Sequence, residues 1–405
     1  MASSGPPTGA QLRLPCGLVL KNRLVKSAIS EKVAIDNLPG PSHLRMYRTW
    51  AEGGWAALIT GNISVDDAYL GTVGDVALSK TNMAVTLEKW SAWAQAAQGH
   101  NCHMIVQLSH PGRQSPLGAG KKSFFAKNIA PSAIPLNLGD NLIARCASAV
   151  VFGTPRAMTQ DDIDNVIAGF VSAANIAFRA GFQGVEVHAG HGFLLSQFLS
   201  SSSNKRQDQF GGSPEKRAEI VLRIIRAIRD QVPATFCVGV KINTAAVRDT
   251  TEYSDMIRQI DLIRGEKIDY INLSGGDFED PKMFFASQSI SPTETPGRAT
   301  QDAFFLQASR DISSKFPDLI LILTGGFRSQ AAIHAALESG ACSVVGIGRP
   351  AIKYPDLPNK ALSEKPTQVK FDIETAPSPG WIGTKIRSAR AGAEVKYWAS
   401  ALQRL

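Results

Sequence analysis

Two histidines, His188 and His191, lie in a glycine-rich turn that follows a buried-strand pattern in residues 184–199, GVEVHAGHGFLLSQFL. Three roles are open to such a pair. They could be core residues whose hydrogen bonds are all made within the protein, or they could bind a metal with His110 as a third ligand. As a third possibility, their N–H groups could both donate to one carbonyl or phenolate oxygen. Lys241 favours the last role, because a fixed cation across the site suits an anionic partner.

Two glycine-rich motifs, LTGG at 323–326 and GIGRP at 346–350, have the composition of a phosphate site. Glycine lets backbone N–H groups approach an anion closely, and an arginine supplies a forked cation. A Gly-Gly pair can also be only a tight turn. Because both motifs follow apolar runs, we interpret them as a phosphate site. Its predicted residues are Gly325, Gly326, Gly348 and Arg349.

The elements that must position these residues follow a regular order, because short apolar runs alternate with amphipathic stretches. Val-, Ile- and Leu-rich strands separated by helices imply parallel pairing, and eight such units predict an α/β fold, the (β/α)8 TIM barrel. A doubly wound open sheet is the alternative, but residues 26–30 lack the G-x-G-x-x-G turn that it needs. The predicted strands are Leu24–Ile29, Ala56–Asn62, His103–Leu108, Gly184–Ala189, Phe236–Ile242, Asp269–Ser274, Leu319–Thr324 and Cys342–Ile347.

The clearest helix signal begins at Thr159, an N-cap residue followed at the N3 position by Asp162. Apolar residues then hold one face of the helix until Gly181, which ends it. This helix is the predicted connection that leads into the strand carrying His188.

A single domain is expected to cover the whole chain, with the barrel over about residues 22–362. Residues 109–158 are too long for a simple connection, so we expect an excursion after the third strand that caps the barrel mouth. Residues 363–405 form a C-terminal tail. Apolar residues at helical spacing predict a helix over 391–405 that packs on the barrel or on a neighbouring subunit, away from the chemistry.

The carboxyl ends of the barrel strands should form the active site, so their polar residues are candidates for chemistry. A metal site is disfavoured there, because Lys241 and Gly348 lie where carboxylate or histidine ligands would be needed. Besides the histidines and the phosphate motifs, the predicted ends carry Ser27, Ser30, Thr60, Asn62, Gln107, Arg113, Asn243, Ser274, Gly275 and Gly276.

The composition is that of an ordinary globular protein, with 405 residues, 44% of them hydrophobic and 19% charged. The net charge of +8 comes from scattered Lys and Arg residues, so no nucleic acid partner is expected. No apolar run reaches membrane length and no signal-peptide pattern is present, so we expect a cytoplasmic protein without a membrane partner. The five cysteines contain no C-x-x-C pair, which is typical of a reducing compartment.

Five sequence stretches occur together in a specific order. They are LVKSAIS (24–30), VQLSHPGR (106–113), the histidine stretch (184–199) continued by NKRQDQFGGSPEKR (204–217), LTGGF (323–327) and GIGRP (346–350). The combination resembles the old yellow enzyme family, in particular its NADH:flavin oxidoreductase branch, over about residues 12–360. The resemblance implies FMN held non-covalently in the barrel mouth, reduction by NADPH or NADH, and hydride transfer from the flavin N5 to the β-carbon of an activated alkene.

The resemblance also implies roles for individual residues. His188 and His191 match the pair that hydrogen-bonds the substrate carbonyl oxygen, and His188 also counts among the cofactor contacts. Gln107 matches a glutamine that faces the flavin pyrimidine, and Lys241 matches a basic residue, usually Arg, that neutralises charge near flavin N1. The remaining cofactor-binding positions are Ser27, Ala28, Ser30 (where a Thr or Cys tunes the flavin), Asn62, Ser274, Gly275, Gly325, Gly326, Gly348 and Arg349.

Phe193 is the main departure from the family pattern, which usually has a tyrosine that protonates the α-carbon. A phenyl ring cannot donate a proton, and general acid catalysis contributes about 10²–10⁴ in rate. Either Phe193 only packs while water or another residue delivers the proton, or the outcome of the reaction changes.

We therefore expect an FMN-dependent oxidoreductase that uses NAD(P)H and acts on the C=C bond of an α,β-unsaturated carbonyl compound. Because of Phe193, a redox-neutral isomerase, a desaturase or a cyclase of a small-molecule biosynthetic pathway is the alternative. A flavin-binding protein without turnover and a metal-dependent barrel hydrolase are more distant alternatives. The expected partner is a small-molecule enone or related substrate, and a homodimer is compatible with the sequence.

Overall fold

Parallel strands build the centre of the molecule in the computed structural model. It describes residues 7–79, 82–123, 125–244, 250–275, 296–363, 369–374, 376–378, 380 and 386–405. The strands are β1 Leu12–Arg13, β2 Val19–Leu20, β3 Leu24–Lys26, β4 Ala57–Ile59, β5 Ile63–Ser64, β6 Val76–Ala77, β7 His103–Ser109, β8 Ile129–Ala130, β9 Arg156–Ala157, β10 Gly184–Ala189, β11 Cys237–Asn243, β12 Tyr270–Ser274, β13 Leu321–Thr324 and β14 Val344–Ile347.

Eight of these strands close into a ring in chain order, namely β3, β4, β7 and then β10 to β14. Every pairing around the ring is parallel, and the ring closes where Val345 of β14 pairs with Leu24 of β3. An open doubly wound sheet would instead end in two unpaired edges. The predicted (β/α)8 barrel is therefore confirmed, and the short strands β5 and β6 extend it beside β7.

The predicted and observed strand bounds agree best where glycine and a polar turn flank the apolar run. The fourth barrel strand, Gly184–Ala189, is as predicted, but β3 ends at Lys26 and not at Ile29, and β4 ends at Ile59 and not at Asn62. Ile29 still packs on the main hydrophobic core from its loop. The predicted first strand was too long because an apolar residue of the following loop also packs on the core.

Helices surround the barrel, and among the described residues none is long and apolar enough to span a bilayer. Helix α4 confirms the prediction at Thr159, whose Oγ1 accepts from the Asp162 N–H at 3.2 Å while its own N–H donates to the Asp162 carboxylate at 2.8 Å. The helices are α1 Pro41–Glu52, α2 Met83–Gln95, α3 Leu142–Val151, α4 Gln160–Arg179, α5 Leu194–Leu199, α6 Pro214–Arg229, α7 Thr250–Arg264, α8 Pro296–Lys315, α9 Gln330–Glu338, α10 Pro350–Lys353, α11 Leu357–Ser363 and α12 Arg387–Leu402.

The amino-terminal end of the barrel is filled by apolar side chains. The antiparallel hairpin of β1 and β2 contributes Leu14 and Leu20, which pack with Ile105, Tyr270 and Ile322 from three barrel strands. This packing leaves the polar inward-facing residues at the opposite, carboxyl end of the strands. That end is where the candidate site lies.

The segment between β7 and α4 has structure of its own, comprising β8, β9 and α3. Arg113 anchors it, since its guanidinium donates to the carbonyl oxygens of Ile134 at 3.3 Å and Pro135 at 3.1 Å. The His110 carbonyl accepts from the Leu194 N–H at 2.8 Å. The excursion is thus tied to the start of α5, directly beside the histidine turn.

Candidate active site

The two histidine rings meet at the carboxyl end of β10. Their centroids lie 4.9 Å apart with the planes at 79°. His188 is the fifth residue of β10 and pairs in register with Lys241 of β11. His191 lies in the turn that follows. One ring is therefore fixed by the sheet and the other by the turn.

Both imidazoles are held neutral. Burial lowers the pKa of His188 well below its usual range, and the Lys241 ammonium lowers it further. Burial, Lys241 and His188 lower the pKa of His191 in the same direction. The Nδ1 of His188 accepts from the Gly190 N–H at 3.4 Å, so its proton lies on Nε2. His188 is thus an N–H donor at its ring tip.

His191 has an unusual backbone, with a φ of 55°. Non-glycine residues seldom adopt this left-handed conformation, and surrounding contacts must hold it. Gln114 donates to the His191 carbonyl oxygen at 3.1 Å, and Ser274 Oγ lies 3.1 Å from His191 Nε2. The excursion and β12 therefore both orient this ring, which explains the placement of Ser274.

Phe193 completes an aromatic cluster with the histidines. Its ring centroid lies 4.9 Å from that of His188, and the side chain is only 6% exposed. Its backbone caps the first turn of α5, since the Gln197 N–H donates to the Phe193 carbonyl at 2.8 Å. The Phe193 side chain is therefore packed in the site, and its phenyl ring has no proton to donate.

A hydrogen-bonded chain of polar side chains crosses the barrel interior next to the histidines. Gln107 donates to one oxygen of Glu186 at 2.6 Å, and Asn272 donates to the other at 2.9 Å. Thr324 Oγ1 then donates to Asn272 Oδ1 at 2.8 Å and lies 2.8 Å from Ser27 Oγ. The structure thus joins the predicted residues Gln107 and Ser27 through side chains that the predicted site did not include.

Glu186 and Asn272 are the two members of this chain that the predicted site did not include and that lie closest in register to the predicted residues. Glu186 precedes His188 by two positions and therefore faces the same side of β10. A carboxylate inside an otherwise apolar strand was the available signal for it. Asn272 pairs in register with Lys241, which places an amide and an ammonium side by side.

Lys241 is a buried cation, with 2% of its surface exposed. Burial lowers its pKa, and the Glu186 carboxylate opposes this effect. Within the part of the chain that the structure describes, its ammonium has no hydrogen-bond partner. An inward-facing ammonium of this kind is prepared to bind an anionic or carbonyl group of a ligand.

The predicted phosphate motifs lie together at the ends of β13 and β14, which are neighbours in the barrel. Gly325 and Gly326 have φ values of 137° and 73°, conformations that favour glycine. A Cβ added to Gly325, Gly326 or Gly348 would meet no atom within 4 Å. The backbone here therefore borders open space that an anionic group can enter.

Arg349 is bound by the C-terminal tail. Its Nη1 lies 3.2 Å from Glu394 Oε2 on α12. The buried Glu394 also accepts from the Ala376 N–H at 2.9 Å and from the Trp398 indole at 3.0 Å. The predicted tail helix is present and begins at Arg387, but it reaches the phosphate motif more closely than we expected.

The other predicted cofactor residues occupy the loops around this opening. Ser30 Oγ donates to Asp75 Oδ1 at 2.9 Å, whereas Ala28 packs against the apolar end of the barrel. Asn62 and Gly275 are half-buried residues that follow β4 and β12. Gly276 lies outside the residues that the structure describes.

The metal-site hypothesis has no support from the geometry of the histidines. Among the described residues, the group with ligand atoms close enough to share one ion is Cys16, Cys237 and Asp269, which does not contain them. Asp269 accepts there from the Cys16 N–H at 2.7 Å and from Arg229 at 2.7 Å. Because Cys237 begins β11, this cluster lies at the opposite end of the barrel.

Comparison with known proteins decides the family. Residues 17–368 match the sequence model described as the NADH:flavin oxidoreductase / NADH oxidase family. The chain belongs to this family. It is an FMN-dependent oxidoreductase with NAD(P)H as its reductant, which confirms the resemblance to the old yellow enzymes.

Two fungal relatives of this oxidoreductase are similar over most of their length. NADH-dependent flavin oxidoreductase iliE of Hypocrea jecorina (strain QM6a) is 43% identical over 370 residues, which are 91% of each chain. NADH-dependent flavin oxidoreductase iccE of Talaromyces variabilis is 43% identical over 382 residues, 92% of this chain and 91% of the relative. The structure of morphinone reductase in complex with tetrahydroNAD has the same fold, with a TM-score of 0.70, 22% identity and coverage of 88% and 90%.

The residues of the oxidoreductase fit FMN. The open glycine edge with Arg349 would take a phosphate, and the buried Lys241 would face the anionic end of an isoalloxazine ring. Gln107, whose Nε2 donates to Glu186, offers a fixed amide on the strand next to β10. The site therefore combines an open glycine edge beside Arg349 with a buried ammonium, Lys241, next to two neutral imidazoles.

Proposed function

We propose that this oxidoreductase uses NADH and acts on the C=C bond of an α,β-unsaturated carbonyl compound. The observation that carries the proposal is the pair of neutral rings of His188 and His191, 4.9 Å apart at the barrel mouth. The Nε2–H of His188 and an N–H of the adjacent His191 ring would suit a single carbonyl oxygen, on which negative charge grows as a nucleophile attacks the β-carbon. Bound FMN supplies the hydride that NADH delivers.

The residues around the pair support this assignment. Ser274 orients His191, and the sheet fixes His188, so neither donor needs to reorganise as charge develops. Phe193 excludes water from one side of His188. NADH is preferred over NADPH because the similar fungal enzymes iliE and iccE are both named NADH-dependent.

A redox-neutral reaction is the second candidate, and Phe193 favours it. An enzyme that receives a hydride equivalent but lacks a rapid proton donor at residue 193 can return the electrons or shift a double bond. Isomerisation, desaturation or ring closure of an enone would then replace net reduction. The two candidates share the histidine pair and differ in NADH consumption.

One experiment tests the proposal and separates the candidates. The purified holoprotein is mixed with NADH and then with 2-cyclohexen-1-one, while absorbance at about 450 nm is recorded and the products are analysed. We expect the band to bleach with NADH and to recover with the enone, with one saturated ketone formed per NADH consumed. A colourless protein, or bleaching that no enone reverses, contradicts the proposal. Conversion of an enone without NADH consumption supports the redox-neutral candidate instead.

A further inference from the structure

We propose that Asp75 and Ser30 form a proton relay that supplies the α-carbon proton, the step for which residue 193 has no donor. The inference rests on the proposed function, since reduction or isomerisation of an enone needs a proton moved at that carbon. Asp75 precedes β6 and Ser30 follows β3, so the two come from different loops at the carboxyl end of the barrel.

The position of Asp75 relative to Phe193 carries the proposal. A Cβ built on Gly71 would lie 3.6 Å from Phe193 Cζ and 3.1 Å from Asp75 Oδ2. Phe193 Cζ is the para carbon, the atom to which a tyrosine attaches its hydroxyl. Because Gly71 has no side chain, nothing from that residue separates the ring tip from the carboxyl. An ionisable group therefore lies beside the place where the phenol is missing.

The hydrogen bonds of Asp75 set the direction of the Ser30 hydroxyl. Ser30 Oγ lies 2.9 Å from Asp75 Oδ1, and the Thr72 N–H donates to Oδ2 at 2.9 Å. A hydroxyl has one hydrogen and two lone pairs. When Asp75 is a carboxylate, it takes that hydrogen. When Asp75 is a carboxylic acid, its O–H can donate to Ser30, and the Ser30 hydrogen is then available to a third atom.

The surroundings of Asp75 allow both protonation states near neutral pH. Burial raises its pKa to about 7, although the hydrogen bonds from Ser30 and Thr72 oppose the rise. Of the charged neighbours, Glu31 raises the pKa and Lys32 lowers it. A pKa near the working pH is what a general acid needs.

Glu31 and Tyr47, two ionisable groups on the same side of the barrel, are bonded to each other. Glu31 accepts from the Tyr47 hydroxyl at 2.5 Å and from the Gly61 N–H at 2.8 Å. The hydroxyl of Tyr47 in turn lies 3.3 Å from the buried Lys26 ammonium. His188 and His191 have the role of holding the substrate oxygen. The Asp75 carboxyl therefore lies beside Phe193, and Ser30 is the hydroxyl that bonds it.

The relay balances as follows. The Ser30 O–H bond breaks as its proton passes to the α-carbon, and the Asp75 O–H bond breaks as its proton replaces the one that Ser30 lost. Asp75 ends as a carboxylate and Ser30 as an unchanged hydroxyl. Water returns one proton to Asp75 before the next turnover. In an isomerisation the same relay runs in both directions.

The test compares wild-type holoenzyme with Asp75→Asn, Ser30→Ala, Phe193→Tyr and the double variant D75N/F193Y. Asparagine fits the site of Asp75, because its amide can donate to Ser30 while its oxygen accepts from Thr72. Stopped-flow absorbance follows bleaching by NADH and recovery with 2-cyclohexen-1-one separately. We expect D75N to slow the recovery by at least about 10²-fold and to leave the bleaching unchanged, and we expect S30A to slow the recovery by a similar factor.

Two further readouts separate catalysis from structure. Adding the phenol in D75N/F193Y restores the recovery rate, which a merely structural defect at Asp75 would not allow. In infrared spectra of the protein without FMN, we expect a protonated carboxyl band that titrates near pH 7 and is lost in D75N. Asp67→Asn, a change in the same segment at a residue that binds Lys121, is the matched control and alters neither readout.

The outcomes are distinguishable. A wild type that recovers with the enone, together with D75N and S30A variants that recover equally fast, overturns the relay alone. A wild type that never recovers contradicts the proposed function and the relay with it. If D75N does not fold, the recovery rate of S30A tests the relay instead, because this variant removes the intermediate hydroxyl and retains the carboxyl.

Discussion

His188 Nδ1 accepts the N–H of Gly190, while the ring of His191, three positions later, meets the His188 ring edge to face at 4.9 Å. This relationship requires the turn between them to reverse, and the φ of 55° at His191 accomplishes it. Two neutral imidazole rings are thereby held next to each other.

If the histidines share one ligand oxygen, their contributions to binding should not be additive. We expect His188→Asn and His191→Asn each to raise the Kd for phenol by about tenfold, and the double variant to raise it little further. Asparagine tolerates the left-handed backbone at 191. Titration of the visible spectrum of the holoprotein with phenol measures Kd. His100→Asn, in the loop before β7, is the control, and additive losses would contradict a shared oxygen.

The glycines of the GIGRP motif should respond in opposite ways to alanine. A Cβ on Gly346 would lie 2.1 Å from Thr324 Oγ1 and 2.4 Å from Ser27 Oγ, so Gly346→Ala should destabilise the fold by about 1–3 kcal/mol. A Cβ on Gly348 meets nothing within 4 Å, so Gly348→Ala should leave the melting temperature of the FMN-free protein unchanged and weaken FMN binding. Thermal melts and FMN titrations check both. Unchanged FMN affinity in Gly348→Ala would remove this glycine from the phosphate site.

The stability of the protein should depend on pH through Asp75. Burial raises the pKa of Asp75 from 3.8 to about 7, so the folded state holds this proton more tightly than the unfolded chain. The stabilising contribution is therefore complete below about pH 3.8 and is lost as the pH rises to about 7. Relative to wild type, D75N should gain up to about 4 kcal/mol in the free energy of unfolding between pH 4 and pH 8. Denaturant unfolding at both pH values measures it, and equal pH profiles would contradict the buried acid.

Glu394 should matter more for stability than an exposed carboxylate of the same tail. Its side chain is 1% exposed and accepts hydrogen bonds from Arg349, the Trp398 indole and the Ala376 N–H, so Glu394→Ala removes one acceptor from three donors and should cost about 3–5 kcal/mol. Glu374, which is exposed and bonds Tyr397 and Lys353, is the matched control. Glu374→Ala should leave the melting temperature unchanged. Equal melting temperatures of the two variants would show that the tail does not stabilise the phosphate motif.

Much of the site could be predicted because barrel strands carry their chemistry at one end. The ends of β10, β11 and β12 bring His188, Lys241 and Ser274 together, as expected from the order of the strands along the sequence. Glu186 and Asn272 do interrupt apolar strands, but the local pattern does not show whether such a polar residue belongs to a site or is a satisfied core group.

The sequence by itself determined the alternation of strands and helices, the closed barrel, the glycine motifs and the absence of a hydroxyl at residue 193. Each of these depends on local periodicity or on the identity of one residue. Only the tertiary structure decided that Ser30 bonds Asp75 and that Arg349 bonds Glu394. Both contacts join residues 45 positions apart, and the paths of the intervening loops and helices, which no local pattern specifies, bring them together.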